Sequence, residues 1–354
     1  MCLCAAAVFT CGLVSASNWS ELASASLARL PLSLVRSPSV QTELAVGTDQ
    51  AQAIATLVEG VDQPFWRLRD STSEKGLDEI QSLAGGLQKD LGKILNEKQM
   101  ERMEQLLLRA QGWQGLQLPS VVNQLHLTEP QQRRYDALLA SVKNWDPKRA
   151  NQLSVIEYRW NQEVLTEPQR SRLRHLTGKP YDFSRERVLA AKAPEIKGKG
   201  LWLNAKPTTL GELKGKVVAL HFWTFGCINC IHNLPFYQAW QAQFPKEQFG
   251  ILGIHTPETD TEHDPQQLRK AVAEKRLQFP ICTDSQRENW NDWGNQMWPS
   301  VYLIDKNGYI RYWWYGELNW KGANGDAFMR EKVRQLIAEK EEPPGPTMVP
   351  TSPK

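Results

Sequence analysis

The stretch HFWTFGCINCIHNLP, residues 221–235, constrains this chain more than any other. Cys227 and Cys230, with two residues between them, come just after the largely apolar run Val217–Trp223 and directly before a segment of helical character. A continuous apolar strand has no face for water, so it belongs in the middle of an alternating β/α architecture. Three chemistries compete for the pair. A zinc site needs four ligands, usually from a second cysteine pair or from histidines at compact spacing. Here there is no second CxxC, and His221, His232 and Cys282 are the residues at hand. A purely structural disulfide would close a very small loop and stabilise little. A dithiol–disulfide redox centre uses what the pattern supplies. A helix beginning at Cys227 puts that sulfur where free N–H groups and partial positive charge favour the thiolate. Cys230, one turn on, is then placed to attack a mixed disulfide and release its product. A strand–CxxC–helix inside a β/α alternation is a specific signal for this third reading.

The alternation continues on both sides of the pair. GLWLN (200–204) predicts a short strand, and TTLGELKGK (208–216) a turn-rich connection. After the helix that follows the cysteines, running to about Gln243, FGILGIHT (249–256) predicts a second buried strand. DPQQLRKAVAEKR (264–276) predicts a helix with Asp264 as N-cap and Pro265 at its first position. FPICTD starts a short strand and ENWNDWGN a short helix. SVYLIDKNGYIRYWWYG (300–316) predicts a hairpin turning at Lys306–Asn307–Gly308, and DAFMREKVRQLIAEK (326–340) a final amphipathic helix.

Residues from about 40 to 185 have a different character, with helical periodicity, abundant Gln, Arg, Leu and Glu, and no cysteine. A short phrase recurs there: LNEKQ at Leu95–Gln99, and LTEPQ at Leu127–Gln131 and again at Leu165–Gln169. Asn96, Thr128 and Thr166 can cap free N–H groups, with Gln99, Gln131 and Gln169 completing a capping box. Pro130 and Pro168 sit in the first turn, where a missing N–H costs nothing. An apolar series such as Leu138, Leu139 and Val142 follows. The phrase resembles the LTxxQ motif of small periplasmic helical proteins, and simple helix capping explains it equally well. The expectation is an all-helical module with three related helix starts, joined by a linker over residues 182–200.

Residues 1–17, MCLCAAAVFTCGLVSAS, have the length and small-residue ending of a cleaved export signal, though without a basic start, and are too short to span a bilayer. VFTC is a poor lipidation box. Loss of that segment would remove Cys2, Cys4 and Cys11, leaving Cys227, Cys230 and Cys282, far too few for a disulfide scaffold. The expected location is periplasmic or otherwise extracytoplasmic, or cytoplasmic if the start is not a signal. A net charge of +3 with no dense basic run argues against nucleic acid as a partner. No other segment is expected to cross a membrane, and the proline-rich tail 342–354 is expected to be disordered. Nine of the fourteen tryptophans fall after residue 200, which predicts an aromatic-rich second half.

Residues from about 190 to 340 resemble the thioredoxin superfamily, above all TlpA-like extracytoplasmic thiol–disulfide proteins and the C-terminal domain of DipZ-type proteins. The phrases LKGKVVALHFWTFGCINC, LGIHTPE and WPSVYLIDKNGYIRYWWYGE carry the resemblance, in the family's order. It implies that Cys227 attacks and Cys230 resolves, as a redox-active disulfide pair. It also implies that Pro235 kinks the active-site helix and that Pro299, preceded by Trp298, is the cis-proline facing the sulfurs and binding substrate. Two departures matter. His221 stands where thioredoxin has a buried acid, so the proton acceptor for Cys230 is His221, Glu317 or a water, with a plain core histidine as the alternative for His221. Ile228–Asn229 replaces Gly-Pro between the cysteines, which leaves the potential open. His232 is expected on the surface, Cys282 as a small buried hydrophobe, and His255 as equally apt for a structural role. Thr224, three residues before Cys227, is shared with peroxiredoxins, but Leu220 occupies the position of their proline.

The expected fold class is therefore an α/β thioredoxin-like domain, a central mixed sheet flanked by helices, over residues 187–341, preceded by an all-α domain over 18–186. The expected activity is thiol–disulfide exchange with disulfide-containing or dithiol proteins or small thiols, served by an upstream thiol donor or acceptor, with no cofactor and no metal. The alternatives are a redox-regulated sensor whose helical module does the binding, and a peroxiredoxin-like peroxidase.

Overall fold

The structure, a computed structural model, describes residues 19–21, 25–140, 158–186 and 189–340. The expected export signal with Cys2, Cys4 and Cys11, the position of Val142, and the tail 342–354 lie outside the described residues. No helix among the described residues is long and apolar enough to cross a membrane.

The first half is helical: α1 (Ala25–Arg36), α2 (Pro38–Glu43), α3 (Thr48–Arg67), α4 (Glu74–Ile94), α5 (Glu97–Gln111), α6 (Pro119–Leu125), α7 (Glu129–Ala140), a π-helical turn (Trp160–Val164) and α8 (Glu167–Thr177). The recurring phrase starts α5, α7 and α8, and each glutamine reaches back to the backbone N–H at the cap: Gln99 to Asn96, Gln131 to Thr128 and Gln169 to Thr166, at 2.9–3.0 Å. A fourth copy, unrecognised in the sequence because Gly47 holds the cap position, starts α3, where Gln50 accepts from Gly47 N. The four copies interlock in two pairs. Gln50 and Gln99 exchange hydrogen bonds of 2.8 and 3.1 Å, each with its amide also reaching a carbonyl, Ile94 or Ala45. Gln131 and Gln169 repeat the arrangement at 2.8 and 3.1 Å, with Val164 and His126 as the carbonyls. The phrase is thus a pairing device between helix starts as well as a cap, because a glutamine amide offers two donors and an acceptor.

The second half forms one mixed sheet of seven described strands in the order β1-β7-β6-β3-β4-β5-β2. These are β1 (Ala191–Lys192), β2 (Trp202–Leu203), β3 (Val217–Trp223), β4 (Phe249–His255), β5 (Ile281–Thr283), β6 (Ser300–Ile304) and β7 (Tyr309–Tyr315). Strand β3 is central, parallel to β4 and antiparallel to β6, and all seven of its residues are buried. Its side chains alternate between two cores, as the pleat requires. Val217, Ala219 and Trp223 face α9 (Ile228–Gln243), α10 (Pro265–Glu274) and α12 (Gly325–Ala338), while Val218, Leu220 and Phe222 face the other way, towards Trp290 on α11 (Glu288–Asp292). Strand β1 lies inside the segment read as a linker. Its two residues pair with Ile310 and Tyr309 and cover the outer edge of β7, a contact too short to leave any periodicity in the sequence.

The second core is completed from the helical half. Trp66, at the end of α3, is fully buried among Ala191, Phe222, Trp293 and Tyr302, and its indole donates to the carbonyl of Trp293 at 2.9 Å. A buried ion pair, Arg36 with Asp62, lies at the same junction, and Asp62 also accepts from the backbone N–H of Lys192 on β1.

Candidate active site

Strand β3 delivers the chain to a tight loop, Thr224–Gly226, after which Cys227 takes the N-cap position of α9. Its sulfur accepts from the backbone N–H of Cys230 at 3.2 Å. Cys227 is half-buried and Cys230 is 1% exposed, both as thiols in this structure. The two differ sharply. The Cys227 thiol is lowered to about 7, first by a hydrogen bond from the Cys230 thiol, against the opposing effect of burial, and further by the N–H groups of Cys230 and Asn229. Burial, and then the neighbouring Cys227 sulfur, push Cys230 far above the ordinary thiol range. A thiol lowered to about 7 is in good part thiolate, the reactive form, near neutral pH, whereas a raised one stays protonated. Pro235 lies within α9.

The loop under Cys227 is fixed by a residue that sequence reading missed. Glu262, buried, accepts from Gly226 N at 3.1 Å and also from Glu258 N and Thr259 N. Burial works to raise its pKa, but these hydrogen bonds and one from Thr224 outweigh it and hold the carboxyl below its ordinary value. A side chain at Gly226 would collide with the Glu262 carboxylate, so only glycine permits this approach. The signal that existed, Thr259 three residues before Glu262, reads as a mere capping box. Beside this loop the Thr224 hydroxyl meets His255 Nε2 at 3.2 Å, and Phe225 stacks on the His255 ring. Burial lowers His255 to about 4.

Pro299 approaches from β6. Ser300 stands opposite Phe222 in the sheet register, which sets Pro299 beside the end of β3 from which the cysteine loop departs. The Trp298–Pro299 peptide bond is cis, and the Pro299 carbonyl accepts from Gly316 N at 2.8 Å. Trp298 is a fixed wall. Its ring stacks on Trp290 at 4.0 Å, Arg287 lies 5.1 Å above it, and its indole donates to the Thr256 carbonyl. A further groove of about 340 Å³ opens next to the cysteine helix, lined by Asn229, Trp314, Tyr315, Gly316, Glu317 and Trp320. Asn233, also missed in the sequence, ties this wall to the helix by donating to the Gly316 carbonyl and accepting from Leu318 N.

The two acceptors considered for the Cys230 proton occupy different surroundings. His221 is wholly buried on β3, its ring centroid 4.4 Å from that of Tyr237 and 5.2 Å from that of Phe279, and burial lowers it to about 3. Neither of its ring nitrogens has a hydrogen-bond partner among the described residues. Glu317 is paired with His232 Nδ1 at 3.1 Å, on the outer side of α9. Cys282 is buried in the second core, where burial and then Asp284 raise its thiol to about 12. Among the described residues, no group of three or more His, Cys, Asp or Glu is placed to hold a metal ion.

The AhpC/TSA family model matches residues 189–313. Protein DipZ of Mycobacterium tuberculosis is 36% identical over 149 residues, which is 41% of this chain and 20% of that protein. Thiol-disulfide oxidoreductase YkuV of Bacillus subtilis is 26% identical over 42% of this chain and 95% of its own length. Among solved structures, a thiol-disulfide isomerase from Corynebacterium glutamicum is similar over 42% of this chain and 98% of its own, with 22% identity and a TM-score of 0.36. The chain spans only a fifth of the length of the DipZ proteins it matches.

Proposed function

We propose that this chain, whose C-terminal half is that of a TlpA-like member of the thioredoxin superfamily, catalyses thiol–disulfide exchange through Cys227 and Cys230. The observation that carries the reading is the asymmetry of the two sulfurs, one lowered to about 7 at a helix start and the other buried beneath it. In the reducing direction the Cys227 thiolate attacks one sulfur of a substrate disulfide. A Cys227–substrate bond forms, the substrate S–S bond breaks, and the departing thiolate takes up a proton. Cys230 then loses its proton and attacks Cys227 Sγ, forming the internal disulfide and releasing the second substrate thiolate, so that two electrons have passed to the substrate. The oxidising direction runs the same steps backwards.

The substrate chain runs over Pro299, between the Trp298 wall and the groove lined by Gly316 and Glu317, which the Gly316–Pro299 hydrogen bond joins. For the proton of Cys230 the candidates are His221, whose ring packs on that of Tyr237, Glu317, which is paired with His232, and a water. Slower release of the mixed disulfide in His221→Phe or in Glu317→Gln identifies the acceptor, and unchanged release in both assigns the step to water. The peroxidase alternative is not favoured, since Leu220, buried in β3, stands where that chemistry places a proline. The test is turnover of a protein disulfide by the full chain. Cys227→Ser should abolish it and Cys282→Ala should retain it. Turnover that survives loss of Cys227 would overturn the reading.

A further inference from the structure

The helical half reaches the surroundings of the redox site most extensively through Arg69. Arg69 follows α3, its side chain is 1% exposed, and all five of its N–H donors are used. Nε donates to the Tyr315 hydroxyl at 2.7 Å. Nη1 donates to the carbonyls of Trp66 and Trp293, at 3.0 and 2.9 Å. Nη2 donates to the Gly294 carbonyl at 3.0 Å and to the Tyr302 hydroxyl at 2.9 Å. The Tyr315 hydroxyl in turn donates to Asp70, the next residue along, at 2.6 Å.

What these acceptors have in common is their place in the chain. Trp293 and Gly294 begin the segment that leads to Trp298 and Pro299, and Tyr302 lies on β6, just after them. Tyr315 ends β7 and lines the groove, and its neighbour Gly316 holds both the Pro299 carbonyl and, through Asn233, the cysteine helix. One guanidinium therefore clamps the chain before Pro299, the chain after it, and the strand end beside it. We propose that Arg69 is a positioning residue for the substrate groove, so that the helical half is part of the exchange machinery for protein substrates; this rests on the oxidoreductase reading above. A planar five-donor fork is required, because a lysine ammonium has three donors and cannot span three segments at once. The clamp lies behind the groove wall and touches neither sulfur, so its loss should blur the groove while leaving thiolate chemistry alone.

The experiment compares full-length wild type, Arg69→Met and Arg69→Lys on two oxidants, insulin and glutathione disulfide, with the pH profile of Cys227 alkylation measured alongside. In Arg69→Met, KM for insulin should rise roughly tenfold with kcat within about threefold, below the hundredfold that an ångström of misplacement can cost. Glutathione disulfide, which needs little of the groove, should react within about twofold of wild type, and the alkylation midpoint should not move. Arg69→Lys should fall between the two. An unchanged insulin KM, even with a lowered Tm, would make Arg69 a structural tie and overturn the proposal, as would equal losses on both oxidants with a shifted midpoint. If Arg69→Met does not fold, Tyr315→Phe, which removes a single hydroxyl, decides: a rise of about threefold in the insulin KM supports the proposal and no rise overturns it. Wild type inactive on both oxidants would remove the oxidoreductase reading itself, whereas active wild type with indifferent variants removes this inference alone.

Discussion

At the residue scale the protein treats chemically similar groups in opposite ways. Two cysteines three positions apart differ because one caps a helix at the surface and the other lies one turn inside it. Alkylation of Cys227 in the reduced protein should therefore follow a thiolate midpoint near pH 7, with Cys230 modified far more slowly; mass spectrometry of rate against pH checks this. A midpoint near about 8.5, that of a free thiol, or first modification at Cys230, would contradict the assignment of roles. His221 supplies a second expectation. Burial lowers it from 6.5 to about 3, so between those values the unfolded chain holds a proton that the folded chain refuses. Stability then falls as the pH drops through that window, by up to about 1.4 kcal/mol per pH unit. His255, lowered to about 4, acts in the same direction. His221→Phe should flatten the acid limb of stability against pH in urea titrations, and an equally steep limb would mean that His221 titrates normally.

At the scale of elements, the sequence was legible where the pattern is local. The buried strand Val217–Trp223, the Asp264 cap, which accepts from Gln266 N, and the hairpin through Gly308 all appear as predicted, since each is dictated by neighbours in the chain. The glutamine pairs were half legible. The caps could be read, but the partners lie 49 and 38 residues apart, and the copy at Gly47 lacks the cap side chain that marks the others. Gln99, buried, and Gln131, partly exposed, should respond differently to truncation. Gln99→Ala leaves buried polar groups without partners and should cost about 1–3 kcal/mol, while at Gln131 water can substitute and the loss should stay below about 1 kcal/mol. Urea denaturation would show the ranking, and the reverse order would mean that the pairs are not what hold the helix starts. Glu262 and Asn233 were illegible for a related reason. The contacts that matter at the site are distant, Glu262 with Gly226 36 residues away and Asn233 with Leu318 85 residues away, and no local periodicity encodes them.

At the scale of the whole molecule, two segments that read as separate modules share a core. The sheet face containing Leu220, Phe222 and Tyr302 is closed by Trp66, and the same junction carries Arg69 and the Arg36–Asp62 pair. Composition separates the halves in sequence, and nothing in a single tryptophan near the end of a helix announces that it fills the other half's core. Trp66→Ala should cost about 3–5 kcal/mol, the range for emptying a buried aromatic site. It should lower the midpoint seen by far-ultraviolet circular dichroism of the helices together with that seen by tryptophan fluorescence of the sheet. Coincident transitions in wild type are expected, and a helical transition that ignores the substitution would contradict a shared core.

The claim on which the rest depends is that Cys227 forms the bond to substrate and Cys230 breaks it. The most direct measurement is intact-mass and peptide mass spectrometry of Cys230→Ser after reduction and exposure to a disulfide-containing protein. The expected result is one stoichiometric mixed disulfide, mapped to Cys227, that persists until a small thiol is added. Absence of an adduct, or an adduct mapped to Cys282, would contradict it.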